Sequence, residues 1–260
     1  MQEIQWRYYP HVAENSITRS FIESQVKRQR RPKTIDAYAR NLEDLMQAFD
    51  HLGIADLIEA TPDQIETYLD YLSDRAPVRP PRKIISLAGS RLSLNTIQQR
   101  LVTARLFYDF CIYRDHRQNK TNPVPRGNLR SNGAAPRRGM VKRPMRLPWI
   151  PSDSEWTDLI THLMLHEATR NQLMILLAYE GALRREELIS LRLDDFDWAV
   201  GCVTIRAETS KSGYQRTVMF SWATGELLKR YLWSERSHLL TAFGGEKDGP
   251  LFLGSMSKVV

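Results

Sequence analysis

Apolar residues recur at steps of three and four along most of the chain, the mark of helices that bury one face. Over residues 33–52 the stripe is Ile35, Tyr38, Leu42, Leu45, Phe49 and Leu52, and Gly53 ends it. Thr61-Pro62-Asp63-Gln64 then supplies a cap residue, a proline at the first helical position and a Gln three residues after the cap. That start signal predicts a helix burying Ile65, Tyr68, Leu69 and Leu72. From Ser93 to about Arg114, Leu94, Ile97, Leu101, Ala104, Tyr108 and Cys111 share one face, widened by Phe107 and Phe110. With a further helix at about 14–29, the first half reads as a small helical bundle.

The second half opens at Ser152-Asp153-Ser154-Glu155, a capping box ahead of a helix with Trp156, Leu159, Ile160 and Leu163 inward. Residues 172–179 are apolar all round, which predicts a central buried helix. Gly181 breaks it, and Leu183 to Leu193 begins another. The period then changes to two, and Cys202 to about Ala207 and Gln215 to Phe220 read as strands joined by a turn at Ser210-Lys211-Ser212-Gly213. Ala223 to about Leu239 returns to helix. The predicted fold class is therefore mainly α with a small antiparallel β-sheet (α+β).

Composition narrows the class. With 260 residues, 42% of them hydrophobic, 26% charged and only two cysteines, the chain is neither collagen-like, nor a disulfide scaffold, nor wholly disordered, and one or two ordinary cores are expected. No apolar run approaches the ~18 residues of a membrane span, and the start MQEIQWRYYPHVAENS lacks the layout of a secretory signal, so a cytoplasmic protein with no membrane partner is expected. Cys111 and Cys202 have no metal or redox spacing and read as reduced core fillers.

The charge is unevenly placed. Residues 1–150 hold 25 basic and 15 acidic side chains, net +10, whereas 151–260 are net −3. From His116 to Ser152 there is no acid at all, while Arg117, Lys120, Arg126, Arg130, Arg137, Arg138, Lys142, Arg143 and Arg146 alternate with six prolines and three glycines. This predicts a helical unit at 1–120, a basic linker at 121–151 and a second unit at 152–260. A flexible basic linker between two globular units suits a clamp along a polyanion, because each cation that releases a counterion strengthens binding; a solvated charge run without a partner fits the same composition.

Two segments bring a family into view. Gly181-Ala182-Leu183-Arg184-Arg185-Glu186-Glu187-Leu188, followed by Leu191 and Asp194-Asp195-Phe196-Asp197, resembles the first active-site arginine motif of the tyrosine recombinases, the phage-integrase family, usually G-L-R-x-x-E-L. The stretch Thr209-Ser210-Lys211-Ser212-Gly213-Tyr214-Gln215-Arg216-Thr217-Val218 resembles that family's lysine-bearing β turn. Thr34 with Tyr38, the helix from Ser93, Asn122-Pro123 and Arg146-Leu147-Pro148 are similar to its core-binding (SAM-like) domain and domain junction. The ordered set covers about residues 14–253. The resemblance implies a helical core-binding domain and the front part of a catalytic domain closing as a C-shaped clamp on double-stranded DNA. It further implies site-specific recombination or integration for a mobile element, assembly on DNA as a dimer to tetramer, and no metal or other cofactor.

The chemistry can be argued beside the resemblance. A phosphodiester attacked by a hydroxyl gains negative charge on its non-bridging oxygens, and fixed cationic donors near them lower the barrier. Arginine suits this role, since its planar fork grips two oxygens and stays charged. Arg184 near a helix start would hold the phosphate, with Glu187 one turn on supporting it; alternatively Arg184 and Arg185 pair with Glu187 and Glu186 on a solvated helix face. By resemblance Lys211 would protonate the departing 5′ hydroxyl, and the plainer reading is a hairpin-tip lysine. Arg216 reads as structural or as a phosphate contact. Lys33, Thr34 and Arg40 on one helix and Asn95, Gln99 and Arg100 on another combine base-reading and phosphate-holding groups, and Arg137, Arg138, Lys142, Arg143 and Arg146 are backbone contacts from the linker.

The departures are at the C-terminal side. The family's His-x-x-Arg box and nucleophilic Tyr should follow Leu251-Phe252-Leu253; His238 is followed by Leu239-Leu240-Thr241, and Tyr231 comes too early. The expectation is a chain that binds DNA without cleaving it, either a piece of a longer recombinase or a non-catalytic DNA-binding regulator. Two rival sites are His162 with His166, four apart on a helix, and Asp194-Asp195 with Asp197 as a metal nuclease's acids.

Overall fold

The computed structural model describes residues 4–75, 91–125, 140–141, 147–244 and 249–253, and the chain divides into two compact units, Met1–Leu147 and Pro148–Val260. In unit 1 a 3-10 turn (Trp6–Tyr8) leads into α1 (Pro10–Glu14), α2 (Ser16–Lys27), α3 (Pro32–His51), α4 (Pro62–Asp74) and α5 (Leu94–Tyr113). Their starts follow the cap chemistry. The Asn15 side chain accepts from Ile17 N and Thr18 N, Thr61 and Gln64 close a reciprocal capping box, and Ser93 accepts from Thr96 N. The predicted stripes meet in one core in which Phe21 packs edge-on against Phe107 (5.7 Å) and Phe110 (5.5 Å), beside fully buried Leu42, Leu45, Ile65 and Leu72. Each such side chain contributes about 1.5–3 kcal/mol of burial.

The predicted linker is partly folded into this unit. Arg117, expected on the polyanion-facing surface, is the largest fully buried side chain, and its guanidinium donates to the carbonyls of Ile58, Ala60 (2.8 Å) and Thr121 (3.1 Å). Three carbonyls left without partners by the irregular 57–60 segment and the 117–121 turn are satisfied by one planar donor. Asn122 donates to Arg105 O and Asp109, and Val124 and Val141 enter the core.

Unit 2 contains α6 (Asp153–His166), α7 (Thr169–Glu180), α8 (Arg185–Ile189), a 3-10 turn (Leu193–Asp195), β1 (Phe196–Asp197), β2 (Cys202–Ile205), β3 (Arg216–Met219), α9 (Trp222–Tyr231), a π-helical stretch (Leu232–Arg236) and α10 (Ser237–Phe243). The strands form an antiparallel sheet in the order β1-β2-β3, with Phe196 opposite Val203, Cys202 opposite Met219 and Ile205 opposite Arg216. β1 was not foreseen: two residues are too few for an alternation to show. The Ser152/Glu155 capping box forms as expected. Of the α6 residues predicted inward, only Leu163 is buried; Leu159 is 44% exposed and Trp156 stacks on Tyr179 with ring centres 4.1 Å apart. Helix α7 buries Gln172, Leu173 and Leu177 while Tyr179 is exposed, so it is one-sided rather than central.

Cys111 is buried, which pushes its thiol up to about 12, whereas Cys202 is only half-buried on the sheet.

Candidate phosphate-binding site

Helix α7 ends at Gly181, where an added Cβ would meet Leu183 Cδ2 and Val218 Cγ2 at 3.0 Å, so the helix end lies directly against β3. The next residue, Ala182, takes the left-handed conformation (φ +46°), with its N–H donating to Tyr179 O and that of Leu183 to Ala178 O. This is a Schellman cap with alanine where glycine is favoured. It reverses the chain so that Arg184 becomes the N-cap of α8.

Three residues later, Glu187 is buried in the helix and collects four donors. Its Oε1 accepts from Arg184 Nη1 (3.1 Å) and Arg216 Nη1 (3.1 Å); its Oε2 accepts from the Arg184 backbone N–H (2.9 Å) and Arg216 Nη2 (2.7 Å). The Arg216 hydrogen bonds above all, with those from Arg184, hold the carboxyl down at about 2, against the opposing effect of burial. The two guanidiniums differ in access: the Arg184 side chain is 56% exposed and that of Arg216 33%. One carboxylate between two arginines leaves a net positive group with Arg184 outermost. The backbone N–H of Arg184 at the α8 start is taken by Glu187, so what faces outward here is a side-chain cation.

Lys211 is exposed in the loop between β2 and β3. The outgoing stem begins at Arg216, on Glu187, and the incoming stem is fixed by Arg206, which donates to Ser190 O (2.6 Å) and pairs with Asp195 (3.2 Å). Both feet of the loop thus stand on α8 and the turn after it. Arg216 follows Lys211 by five positions, so their Cα atoms lie within about 18 Å at ~3.3–3.6 Å per residue. Within the loop, Ser210 N and Thr209 N donate to Arg206 O, and Gly213 takes a positive φ of 78°. The sequence reading missed Arg206 altogether and left the role of Arg216 open. Neither has a local signal, because their partners lie in a different part of the chain.

The acids considered for a metal site diverge. Asp195 turns inward to Arg206 and accepts the Arg192 N–H (2.8 Å), Asp197 accepts Ala199 N (3.0 Å) and Val200 N (3.2 Å), and Asp194 is exposed. The rings of His162 and His166 lie 4.5 Å apart, and no group of three potential metal ligands occurs among the described residues.

Unit 1 presents Lys33 and Arg40 seven residues apart on α3, both exposed, with Arg40 paired to Asp36 (2.6 Å) and Thr34 half-buried. Asn95 and Gln99 are exposed four apart on α5. Arg100 is not on that surface: its side chain is 12% exposed and its guanidinium pairs with Asp44 (3.1 Å), which also takes Arg75 (2.7 Å). Position 100 borders the Ile97–Leu101 stripe, and the Asp44 carboxylate on α3 draws the guanidinium inside. Arg137, Arg138, Lys142, Arg143 and Arg146 lie outside the described residues.

Residues 153–252 match the phage integrase family, and residues 20–115 match the N-terminal SAM-like domain of phage integrases. No curated protein matches the chain. Among solved structures, the fold is similar to that of the XerH site-specific recombinase bound to palindromic difH substrate in a post-cleavage complex, at 19% identity over 86% of this chain and 57% of that one, TM-score 0.56. It is also similar to the Tn1549 transposon integrase in complex with circular intermediate DNA, at 12% identity over 91% of this chain and 70% of that one, TM-score 0.56. The chain therefore spans little more than half the length of the XerH chain. No helix among the described residues is long and apolar enough to cross a membrane.

Proposed function

Because this chain belongs to the phage integrase family of tyrosine recombinases, we propose that it acts in site-specific recombination or integration, with Arg184 as a ligand of the scissile phosphate, Glu187 as its support and Lys211 as the proton donor to the leaving 5′ oxygen. The observation that carries this reading is the division of one buried carboxylate between Arg184 and Arg216, which leaves Arg184 outward beside a loop anchored to the same helix. A fixed guanidinium stabilises the negative charge that grows on the non-bridging oxygens, and it costs no reorganisation when the charge appears. An exposed lysine above that phosphate would deliver a proton to the alkoxide as the P–O bond breaks.

In unit 1, Lys33, Thr34 and Arg40 on α3 and Asn95 and Gln99 on α5 make contact with duplex DNA, the charges holding backbone and the amides reading base edges. Arg137, Arg138, Lys142, Arg143 and Arg146 add phosphate contacts. The protein works in the cytoplasm on DNA of a mobile element and assembles on it as a dimer to tetramer.

We further propose that this polypeptide binds DNA without cutting it. Tyr231, which by the family resemblance comes too early to be the nucleophile, is fully buried, and its hydroxyl donates to Leu251 O and accepts from Leu253 N. That arrangement supports a structural tyrosine and favours, as a second reading, a non-catalytic DNA-binding regulator on the recombinase scaffold.

The test is duplex binding across a salt series, followed by incubation with a nicked duplex and denaturing electrophoresis. Affinity should fall with salt by a log–log slope of about 0.9 per phosphate neutralised, and Arg184→Gln should reduce that slope. A flat salt response would end the DNA-binding reading. A covalent protein–DNA adduct would end the claim that this chain does not cut.

A further inference from the structure

Glu187 does not share its oxygens evenly. Arg216 takes both, one through each terminal nitrogen (3.1 and 2.7 Å), while the Arg184 side chain reaches only Oε1 through Nη1 (3.1 Å). Two guanidiniums compete for a carboxylate whose side chain has no solvent exposure, and a fork-to-fork pair is the strongest arrangement available to it. Were Arg216 absent, the buried carboxylate would keep one counter-charge but lose two of its four donors, and Arg184 would gain by turning its own fork inward. Its outward donors would then be lost to any ligand. Arg216 also begins β3 opposite Ile205, the last residue of β2, so the bond that holds Glu187 also closes the foot of the Lys211 loop.

We infer that Arg216 is a positioning residue of this site: by occupying the fork of Glu187 it keeps the Arg184 guanidinium facing outward, and with Arg206 on the other stem it fastens the loop of Lys211 to the helix of Arg184. The inference rests on the reading of Arg184 as a phosphate ligand for its effect on DNA, but its effect on Arg184 itself does not. Arg216 need not touch DNA to act.

The experiment compares the full chain with Arg184→Gln, Arg216→Gln and the double variant in salt-titrated duplex binding. Arg216→Gln should lower the log–log slope by the same ~0.9 as Arg184→Gln, and the double variant should lose no more than either single one. Losses that add would make Arg216 a phosphate contact in its own right, and an unchanged slope with a lowered melting temperature would make it structural only; either result overturns the inference. If Arg216→Gln does not fold, Arg216→Lys keeps the charge yet cannot fill a fork, and the same slope loss is expected, with a retained wild-type slope against the inference.

A readout without DNA separates this inference from the proposed function. The Arg184 guanidinium, followed by NMR, should exchange and rotate more slowly in Arg216→Lys than in the wild type, because it has turned onto Glu187. Unchanged Arg184 dynamics would overturn the positioning role. Wild-type protein that fails to bind DNA would overturn only the functional reading.

Discussion

The two units each contain a carboxylate gripped by two arginines, and they use it in opposite ways. In unit 1, Asp44 holds Arg75 and Arg100 with both guanidiniums drawn inside and the hydroxyl of buried Tyr68 beside it. Burial first, and then the Asp44 charge, push the Tyr68 phenol well above its ordinary value, so it stays a neutral partner. In unit 2, Glu187 is buried more deeply than Asp44, yet its two arginines lean outward. The chemistry is the same; what differs is how much positive charge remains on the surface. A closed triad ties α3 to α5 and α4, while an open one presents a cation.

The largest effect should come from breaking the closed triad. Asp44→Asn leaves two mostly buried guanidiniums without a counter-charge and should cost about 3–5 kcal/mol, read as a lower unfolding midpoint of unit 1 in urea. Because five of the six tryptophans lie in unit 2, tryptophan fluorescence should move far less than hydrogen exchange in α3 and α5.

Acid should sharpen the contrast on the other side. The folded Glu187 carboxyl sits at about 2 against an ordinary 4.5, so the stability it confers is complete above about pH 4.5 and drains away as pH falls toward 2. The shift is worth about 3 kcal/mol at ~1.36 kcal/mol per pKa unit. Urea unfolding of unit 2 by tryptophan fluorescence should show this loss, and Glu187→Gln should flatten it while lowering stability at neutral pH.

Arg184→Gln, in contrast to Asp44→Asn, removes an exposed partner. It should cost no more than ~1 kcal/mol of stability, with the effect confined to ligand binding. A melting temperature that falls as far as that of Asp44→Asn would show the open triad to be structural after all.

A comparably small effect, of opposite sign, is expected at the turn that orients the site. Ala182→Gly should stabilise unit 2 by about 1 kcal/mol, since glycine enters the left-handed region without a Cβ clash. Calorimetry of the variant would check it.

How much of this was legible in the sequence depends on range. Thr61-Pro62-Asp63-Gln64 and Ser152-Asp153-Ser154-Glu155 announced helix starts that formed with both reciprocal bonds, because everything a capping box needs lies within four residues. The Arg184–Glu187 pair was visible for the same reason, at a helical spacing of three. Arg216 meets Glu187 from 29 residues away, and Arg206 meets Ser190 from 16, so no periodicity points to either. Arg100 and Arg117 were misread for a related reason. Cations near an apolar stripe look like surface until a distant carboxylate or a set of free carbonyls draws them inside. The exposed Leu159 and Tyr179 mark the opposite failure, where an apolar stripe says that a face can be buried but not what covers it.

The loop from Arg206 to Gln215 stands on two separate footings, one on Ser190 and Asp195, the other on Glu187. Such an arm can be rebuilt between its abutments. Because closing a longer span costs only ~0.6 kcal/mol for each doubling, its tip is free to change in length or composition from one relative to another while the ground beneath Arg184 stays still, so the reach of the lysine can diversify without re-engineering the arginine.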